Sequence, residues 1–167
     1  MSGPIIVTAT FGDGDNGWLQ SLRRTHYPPE RNQVPAHLTL FHQLPPGAEA
    51  ELAARLARAV AAPPPEARIA GIMNLGEGTA LRIESPELEA IREDLADAMH
   101  GLLGAQDRGR WQPHVTIQNK VAPKAARALQ QQLSAGFEPR ILAIRGLAGW
   151  RYRDGPWEPI RTWPFRG

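Results

Sequence analysis

The distribution of apolar and polar residues along the chain predicts strands and helices in alternation. Runs rich in β-branched and apolar residues, which favour strands, cover 5–11, 36–44, 68–75, 79–84, 112–121, 140–152 and 157–163. Apolar residues at helical spacing, or runs of good helix formers, cover 15–25, 48–62, 86–102 and 123–134. Ser85 precedes Pro86 as a predicted N-cap, and Asp154-Gly155 predicts a tight turn in a final hairpin. The pattern therefore predicts a mixed fold of helices and strands.

The order of these elements repeats. When the chain is shifted by 77 residues, His37-Leu38-Thr39-Leu40 superposes on His114-Val115-Thr116-Ile117 without a gap. The match continues through Pro46 and Pro123 into the helices that follow. Each half is predicted to run strand, helix, strand, helix, strand, with the tetrapeptide in the middle strand. Two such units related by a pseudo-two-fold axis would bring their equivalent strands together.

The repeated tetrapeptide carries the candidate chemistry. Residues two apart on a strand face the same way, so His37 projects with Thr39, and His114 projects with Thr116. A phosphate between the two strands would meet two hydroxyl donors and two imidazoles that titrate near neutral pH. Such a set can take a proton from an attacking oxygen and give one to a leaving oxygen. One copy is ordinary in a protein core, but two copies at one repeat distance indicate a catalytic pair.

These motifs resemble those of the 2H phosphoesterase superfamily, which is named for two His-x-Thr/Ser-x sequences. HLTL at 37–40 and HVTI at 114–117 match that pattern, and the likeness covers nearly the whole chain as a single two-lobed domain, 1–167. Length and motif context resemble the bacterial RNA 2′,3′-cyclic phosphodiesterase and 2′-5′ RNA ligase branch. The resemblance implies an α+β fold of two pseudo-symmetric lobes, each an antiparallel sheet with helices on its outer face, around a central cleft.

The resemblance also implies a reaction that needs no metal, with both histidines as acid and base and both threonines binding phosphate oxygens. We expect hydrolysis of 2′,3′-cyclic phosphates on RNA ends or nucleotides, with 2′-5′ ligation as a reverse activity. His37 is taken as the acid and His114 as the base, and pseudo-symmetry leaves the opposite assignment open. Two alternatives are a non-catalytic RNA-end-binding module and a phosphodiesterase for cyclic nucleotides or ADP-ribose cyclic phosphate. Retention of all four motif residues argues against a module that only binds.

Other residues are candidates for lining the cleft. Positions 41 and 118 are the next on the same face after the two threonines, while aromatic residues at strand ends, Trp111 among them, could stack a base. The predicted lining residues are Phe11, Phe41, Gln118, Trp150, Arg151 and Tyr152. On an uninterrupted strand His42 would face away from His37 and Thr39, so it is predicted to have a packing or surface role.

Composition excludes several kinds of site. The 167 residues include no Cys, which excludes disulfides, a thiolate nucleophile and Cys-ligated metals. No phosphate-binding or dinucleotide-binding glycine motif is present, and each repeated His has a Thr rather than a carboxylate beside it. We therefore expect no metal and no cofactor. No apolar run approaches the roughly 20 residues of a membrane span, and the first residues do not resemble a signal peptide. A cytoplasmic monomer without a membrane partner is expected.

The positive charges are unevenly distributed. The net charge is +2, and all but two of the 19 basic residues are Arg. The region 139–167 holds six of them against Asp154 and Glu158. Such a strip could attract a phosphate-bearing ligand or be an ordinary solvated surface, and the composition favours neither reading. Its members are Arg140, Arg145, Arg151, Arg153, Arg161 and Arg166.

Overall fold

The computed structural model describes residues 3–166, and its elements follow the predicted order. The strands are β1 (Ile5–Phe11), β2 (Leu38–Leu44), β3 (Arg68–Asn74), β4 (Thr79–Glu84), β5 (His114–Gln118), β6 (Arg140–Ile141), β7 (Ile144–Tyr152) and β8 (Trp157–Pro164). The helices are α1 (Asp13–His26), α2 (Glu49–Ala59), α3 (Pro86–Ala98) and α4 (Pro123–Ser134). Short 3₁₀ turns cover Pro29–Arg31, Pro46–Ala48 and Ala105–Asp107. Within these described residues, every helix is too short or too polar to cross a bilayer.

The strands form two antiparallel sheets of four, in the orders β2-β1-β7-β8 and β5-β4-β3-β6. The predicted fold class is confirmed, and the structure adds an exchange between the repeats. The third strand of the first repeat, β3, pairs with β4 of the second, while β7 of the second repeat pairs with β1 of the first. The first sheet therefore combines β1 and β2 of the first repeat with β7 and β8, and the second combines β4, β5 and β6 with β3 of the first repeat. The exchange leaves both motif strands, β2 and β5, as sheet edges that contact each other.

The single strand expected over 140–152 is wrong, because the chain changes sheets within it. Arg140–Ile141 pairs with β3, whereas the strand that begins at Ile144 pairs with β1. At the crossing, the buried Leu142 donates its N–H to the carbonyl of Ala67, and Ala143 donates to the carboxylate of Asp15 at 2.7 Å. Residues 141–144 form one uninterrupted apolar run across the crossing, which is also typical of a continuous buried strand, so the sequence pattern carries no sign of it.

All four helices contribute buried apolar residues to the core that the two sheets share. The inward positions of β1, among them Ile5 and Val7, are fully buried and belong to one apolar cluster that spans both lobes. The predicted cap of α3 is confirmed, since the hydroxyl of Ser85 accepts the N–H of Leu88 at 3.1 Å. This helix ends at Ala98, short of the predicted stripe, and Leu102 is exposed as a result.

Both motif strands contain a β-bulge at the same place in the repeat. The residue after each motif threonine, Leu40 in β2 and Ile117 in β5, has no partner on the neighbouring strand. A bulge breaks the alternation of sides, so the residues that follow, Phe41 and Gln118, are buried as well. The two bulges thus place the motif residues on the cleft side and turn the next residues into the protein.

Candidate active site

The four motif side chains lie where the two edge strands meet. His37 and Thr39, the first half-site, lie just before and within β2, and His114 and Thr116, the second half-site, lie within β5. All four residues are half-buried, while the apolar residues between them are fully buried. Because β2 contacts β5, and because the charge of His114 acts on His37, the structure brings the two half-sites to one place.

Each histidine is anchored by the carbonyl two residues earlier. Nδ1 of His37 lies 2.7 Å from the carbonyl oxygen of Pro35, and Nδ1 of His114 lies 2.8 Å from that of Gln112. A carbonyl oxygen only accepts, so Nδ1 carries the proton in both rings. Nε2 is then the free nitrogen, which takes a proton when the ring is neutral and gives one when it is charged. Within residues 3–166 neither Nε2 has a hydrogen-bond partner.

The hydroxyls of the two threonines are also free. Each threonine accepts a side-chain hydrogen bond at its backbone carbonyl, from Arg23 at Thr116 and from Trp111 at Thr39. No such bond involves either hydroxyl in the described part of the chain. Two imidazole nitrogens and two hydroxyls are therefore available to one ligand, which is a set suited to an oxyanion such as phosphate.

The environment of His37 favours its neutral form. Part of its ring surface is accessible, but protein atoms enclose it on most sides, and this burial lowers the pKa of His37 to about 4. The hydrogen bond to the Pro35 carbonyl acts in the opposite direction and favours the charged form. The positive charges of Arg23, His42 and His114 lower the pKa further. In the free protein at neutral pH, His37 is uncharged and can accept a proton at Nε2.

A cavity of about 230 Å³ opens beside His37 and has aromatic walls. The Trp157 ring lies 4.6 Å from the His37 ring and 6.1 Å from the Trp150 ring, between centres. Trp150 is held by its indole N–H, which donates to the hydroxyl of Thr8 at 2.9 Å. Phe11 completes the aromatic set around this cavity. A larger cavity, of about 610 Å³, is lined by prolines, by Ile141 and by other residues away from the motif side chains, so size alone does not mark the site.

Of the six predicted lining residues, three line cavities, one forms a buried ion pair and two are turned inward by the bulges. Phe11 and Trp150 lie on the wall of the His37 cavity, and Tyr152 lies beside a neighbouring cavity that Trp157 also lines. Arg151 is buried and forms an ion pair with Glu49.

Phe41 and Gln118 do not face the cleft, because the bulges turn them inward. Phe41 is fully buried, with the Arg92 guanidinium 4.4 Å from its ring centre. The side-chain oxygen of Gln118 accepts the hydroxyl of Thr79 at 2.9 Å.

His42 also departs from the expected alternation. Bulges in the β1–β2 pairing bring His42 close to His37, and the positive charge of His42 lowers the pKa of His37. Its Nδ1 lies 3.1 Å from the buried carboxylate of Asp107, which also accepts the backbone N–H groups of His42 and Gln43. Burial opposes ionisation of Asp107, but these donors outweigh it and lower its pKa. The predicted packing role agrees with this contact, because Asp107 secures the outer edge of β2.

Acidic partners neutralise half of the Arg-rich region. Ion pairs join Arg140 to Asp15, Arg151 to Glu49 and Arg153 to Glu158. Half of the six arginines are therefore paired, which weakens the reading of this region as a strip that attracts polyanions.

The sequence reasoning missed Trp157, Arg23 and Asp107. Trp157 stands opposite Tyr152 in the final hairpin, but its contact with His37 joins residues from opposite edges of the first sheet, which the sequence order does not show. Arg23 and Asp107 meet the motif strands from distant parts of the chain, and nothing in their local sequence marks them. Among the described residues, no three His, Asp or Glu side chains lie close enough to bind a metal ion together.

Comparisons with known proteins agree with this fold. A family model described as the 2′-5′ RNA ligase superfamily matches residues 11–156. E. coli LigT with 3′-AMP bound is similar over 100% of both chains, at 16% identity and a TM-score of 0.65. The same protein with phosphate bound is similar over 99% of both chains, at 13% identity and a TM-score of 0.58. A Thermus thermophilus protein is similar over 98% of both chains, at 17% identity and a TM-score of 0.67. No curated protein sequence matches the chain.

The pKa of His37 can be tested by an NMR titration of the imidazole signals. We expect His37 to take up its proton near pH 4 rather than near 6.5, because burial disfavours its charged form. Between these values the unfolded chain binds a proton at His37 that the folded chain does not. The free energy of unfolding should therefore fall as the pH is lowered from about 6.5 to about 4, and His37→Asn should lack that contribution. The exposed His100 is the internal control, and titration of His37 near 6.5 would contradict the assignment.

Proposed function

The chain belongs to the 2′-5′ RNA ligase superfamily, and from that premise we propose that it hydrolyses 2′,3′-cyclic phosphates of nucleotides and RNA ends. The superfamily and its fold support an activity on phosphodiesters. The observation that carries the finer proposal is the matched presentation of His37 and His114. Both rings are anchored through Nδ1 and leave Nε2 free beside a free threonine hydroxyl. Binding alone needs no such pair of nitrogens, whereas acid–base catalysis does.

The proposed reaction transfers one proton at each histidine. A water molecule attacks the phosphorus, and Nε2 of the neutral His37 takes the proton from that water. The bond between phosphorus and one ribose oxygen breaks, and Nε2–H of His114 gives its proton to that oxygen. The hydroxyls of Thr39 and Thr116 donate to the non-bridging oxygens, where negative charge develops. Exchange with solvent then restores both histidines, and the product is a phosphomonoester.

This assignment of roles reverses the one made from the sequence. The low pKa of His37 leaves it neutral at physiological pH, which is the state that a base requires. His114 then supplies the proton to the leaving oxygen. In 2′-5′ ligation a 5′-hydroxyl would attack the cyclic phosphate in place of water, and the two histidines would keep the same roles.

The aromatic cavity supports a nucleotide as the substrate. Phe11, Trp150 and Trp157 line the cavity next to His37, and stacking of a base on an aromatic ring contributes about 1–3 kcal/mol. LigT, the relative with the same fold, was solved with 3′-AMP and with phosphate bound. We infer that the cavity of this chain holds the base while the half-sites hold the phosphate.

Two observations favour a small cyclic nucleotide over an RNA end as the substrate. The cavity is small, and half of the Arg-rich region is neutralised, so the site offers little for a long polyanion. Cleavage of a polymer through that region would weaken steeply with salt, whereas turnover of a small nucleotide would depend on salt much less.

The proposal is tested by incubation with a panel of 2′,3′-cyclic nucleotides and cyclic-phosphate-ended RNA, with product analysis at low and moderate salt. We expect ring opening that survives exhaustive EDTA treatment, because side chains supply the acid, the base and the oxyanion donors. His100→Ala should behave as wild type. Absence of turnover on the whole panel, or a loss in EDTA that Mn²⁺ or Zn²⁺ restores, would overturn the mechanism.

Thr39→Val and Thr116→Val test the phosphate contacts. Valine keeps the β-branched shape and removes the hydroxyl, so each change should cost about 2–4 kcal/mol of transition-state stabilisation, or roughly 10²–10³ in kcat/KM. Thermal unfolding should barely change, because both hydroxyls lack protein partners in the described chain. Thr25→Val, on the exposed end of α1, is the matched control. Full specific activity in a destabilised Thr39 or Thr116 variant would show that the threonine is structural.

A further inference from the structure

The outward carbonyls of the two motif threonines are bound in a crossed arrangement. Edge strands leave one row of backbone groups without a strand partner, and β2 and β5 are both edges. The carbonyl of Thr116, in the second repeat, accepts Nη1–H of Arg23 from the first repeat at 2.8 Å. The carbonyl of Thr39, in the first repeat, accepts the indole N–H of Trp111 from the second repeat at 3.0 Å. Each half-site is thus held by a side chain of the other repeat.

Arg23 also holds the segment that orients His37. Its Nη2–H donates to the carbonyl of Val34 at 2.9 Å, and its Nε–H donates to the side chain of Asn32 at 3.2 Å. Pro35, the residue after Val34, supplies the carbonyl that anchors His37. Arg23 is only 3% exposed, so its bonds are shielded from water. One guanidinium therefore connects the anchor of His37 with the backbone of the opposite threonine.

Trp111 has the equivalent place in the second repeat. It precedes Gln112, whose carbonyl anchors His114, and it lies 77 residues after Val34, at the repeat distance. The Arg92 guanidinium lies 5.7 Å from its ring centre and donates to the carbonyl of Leu40 at 3.0 Å. The indole is therefore fixed against β2 while the residue after it anchors a histidine of β5.

We propose that Arg23 and Trp111 are positioning residues that set the spacing between the two half-sites. Each connects the segment that anchors one histidine to the carbonyl of the threonine on the opposite strand. A displacement of one half-site relative to the other would break these bonds. The inference rests on the proposed function, since the spacing matters only if one phosphate engages both half-sites.

Trp111→Phe is the sharpest test, because it removes the indole donor and keeps an aromatic ring near Arg92. We expect kcat on the cyclic nucleotide that the wild type opens fastest to fall about tenfold or more, with KM changed less than about twofold. Misplacement of reacting groups by about 1 Å can cost up to about 10²-fold in rate. Trp163→Phe, in the core of β8, is the matched control and should lower thermal stability without changing kcat in the folded fraction.

Arg23→Lys tests the second positioning residue. Lysine keeps the charge but lacks the planar fork that reaches Val34 and Thr116 together, so kcat should fall in the same way. Arg140→Lys is its control, because Arg140 pairs with Asp15 and stacks on Trp18 outside the site. If the Arg23 variant does not fold, Trp111→Phe decides the matter alone.

A readout without turnover separates this inference from the proposed function. In the wild type, ¹⁵N NMR of the uncharged rings should show the Nδ1–H tautomer for His37 and His114. Trp111→Phe should mix the tautomers of His114, and Arg23→Lys should mix those of His37. Unchanged tautomers together with unchanged kcat would overturn the proposed positioning role of Arg23 and Trp111 and leave both residues structural. A wild type that opens no cyclic phosphate would refute the proposed function, and the tautomers would still decide whether Arg23 and Trp111 position the two histidines.

Discussion

The exchange of one strand between the two repeats is the constraint on which the site depends. Because β3 and β7 each cross to the other lobe, the motif strands become edges of their sheets and contact each other. Edge strands carry unpaired backbone groups, and these must be satisfied in a part of the protein that is partly closed to water. Side chains from the opposite repeat or from the loop after α3 supply the partners, namely Arg23, Arg92, Trp111 and Asp107. The same bonds that complete the edges also hold the two half-sites.

The chemistry follows from what these bonds leave free. Backbone carbonyls bind Nδ1 of His37 and of His114, so the protons and lone pairs at Nε2 are the ones available to a substrate. The local environments then differentiate two residues that the repeat makes equivalent. His37 packs against Trp157, and burial lowers its pKa to about 4. A pseudo-symmetric pair thereby acquires a base in the free protein, and the aromatic cavity lies on the side of that base.

Much of the fold, and the meeting of the two motif strands, could be predicted from the sequence, because a 77-residue repeat is visible in its local patterns. The order of strands and helices and the Ser85 cap followed from periodicity and composition. The bulges after Thr39 and Thr116 could not be predicted, since an apolar residue fits either side of a strand. That is why Phe41 and Gln118 were expected in the cleft and are found inside. Contacts such as that of Arg23 with Thr116 depend on the assembled lobes and have no local signature.

Whether His37 and His114 act as one acid–base pair can be decided from the pH dependence of kcat/KM in the wild type and in His37→Ala and His114→Ala. A paired mechanism predicts a bell-shaped wild-type profile whose acidic limb lies near pH 4, where His37 is protonated. Each variant should lose at least about 10²-fold, with the acidic limb absent in His37→Ala and the basic limb absent in His114→Ala. Near wild-type turnover in either variant, or an acidic limb that persists without His37, would contradict it.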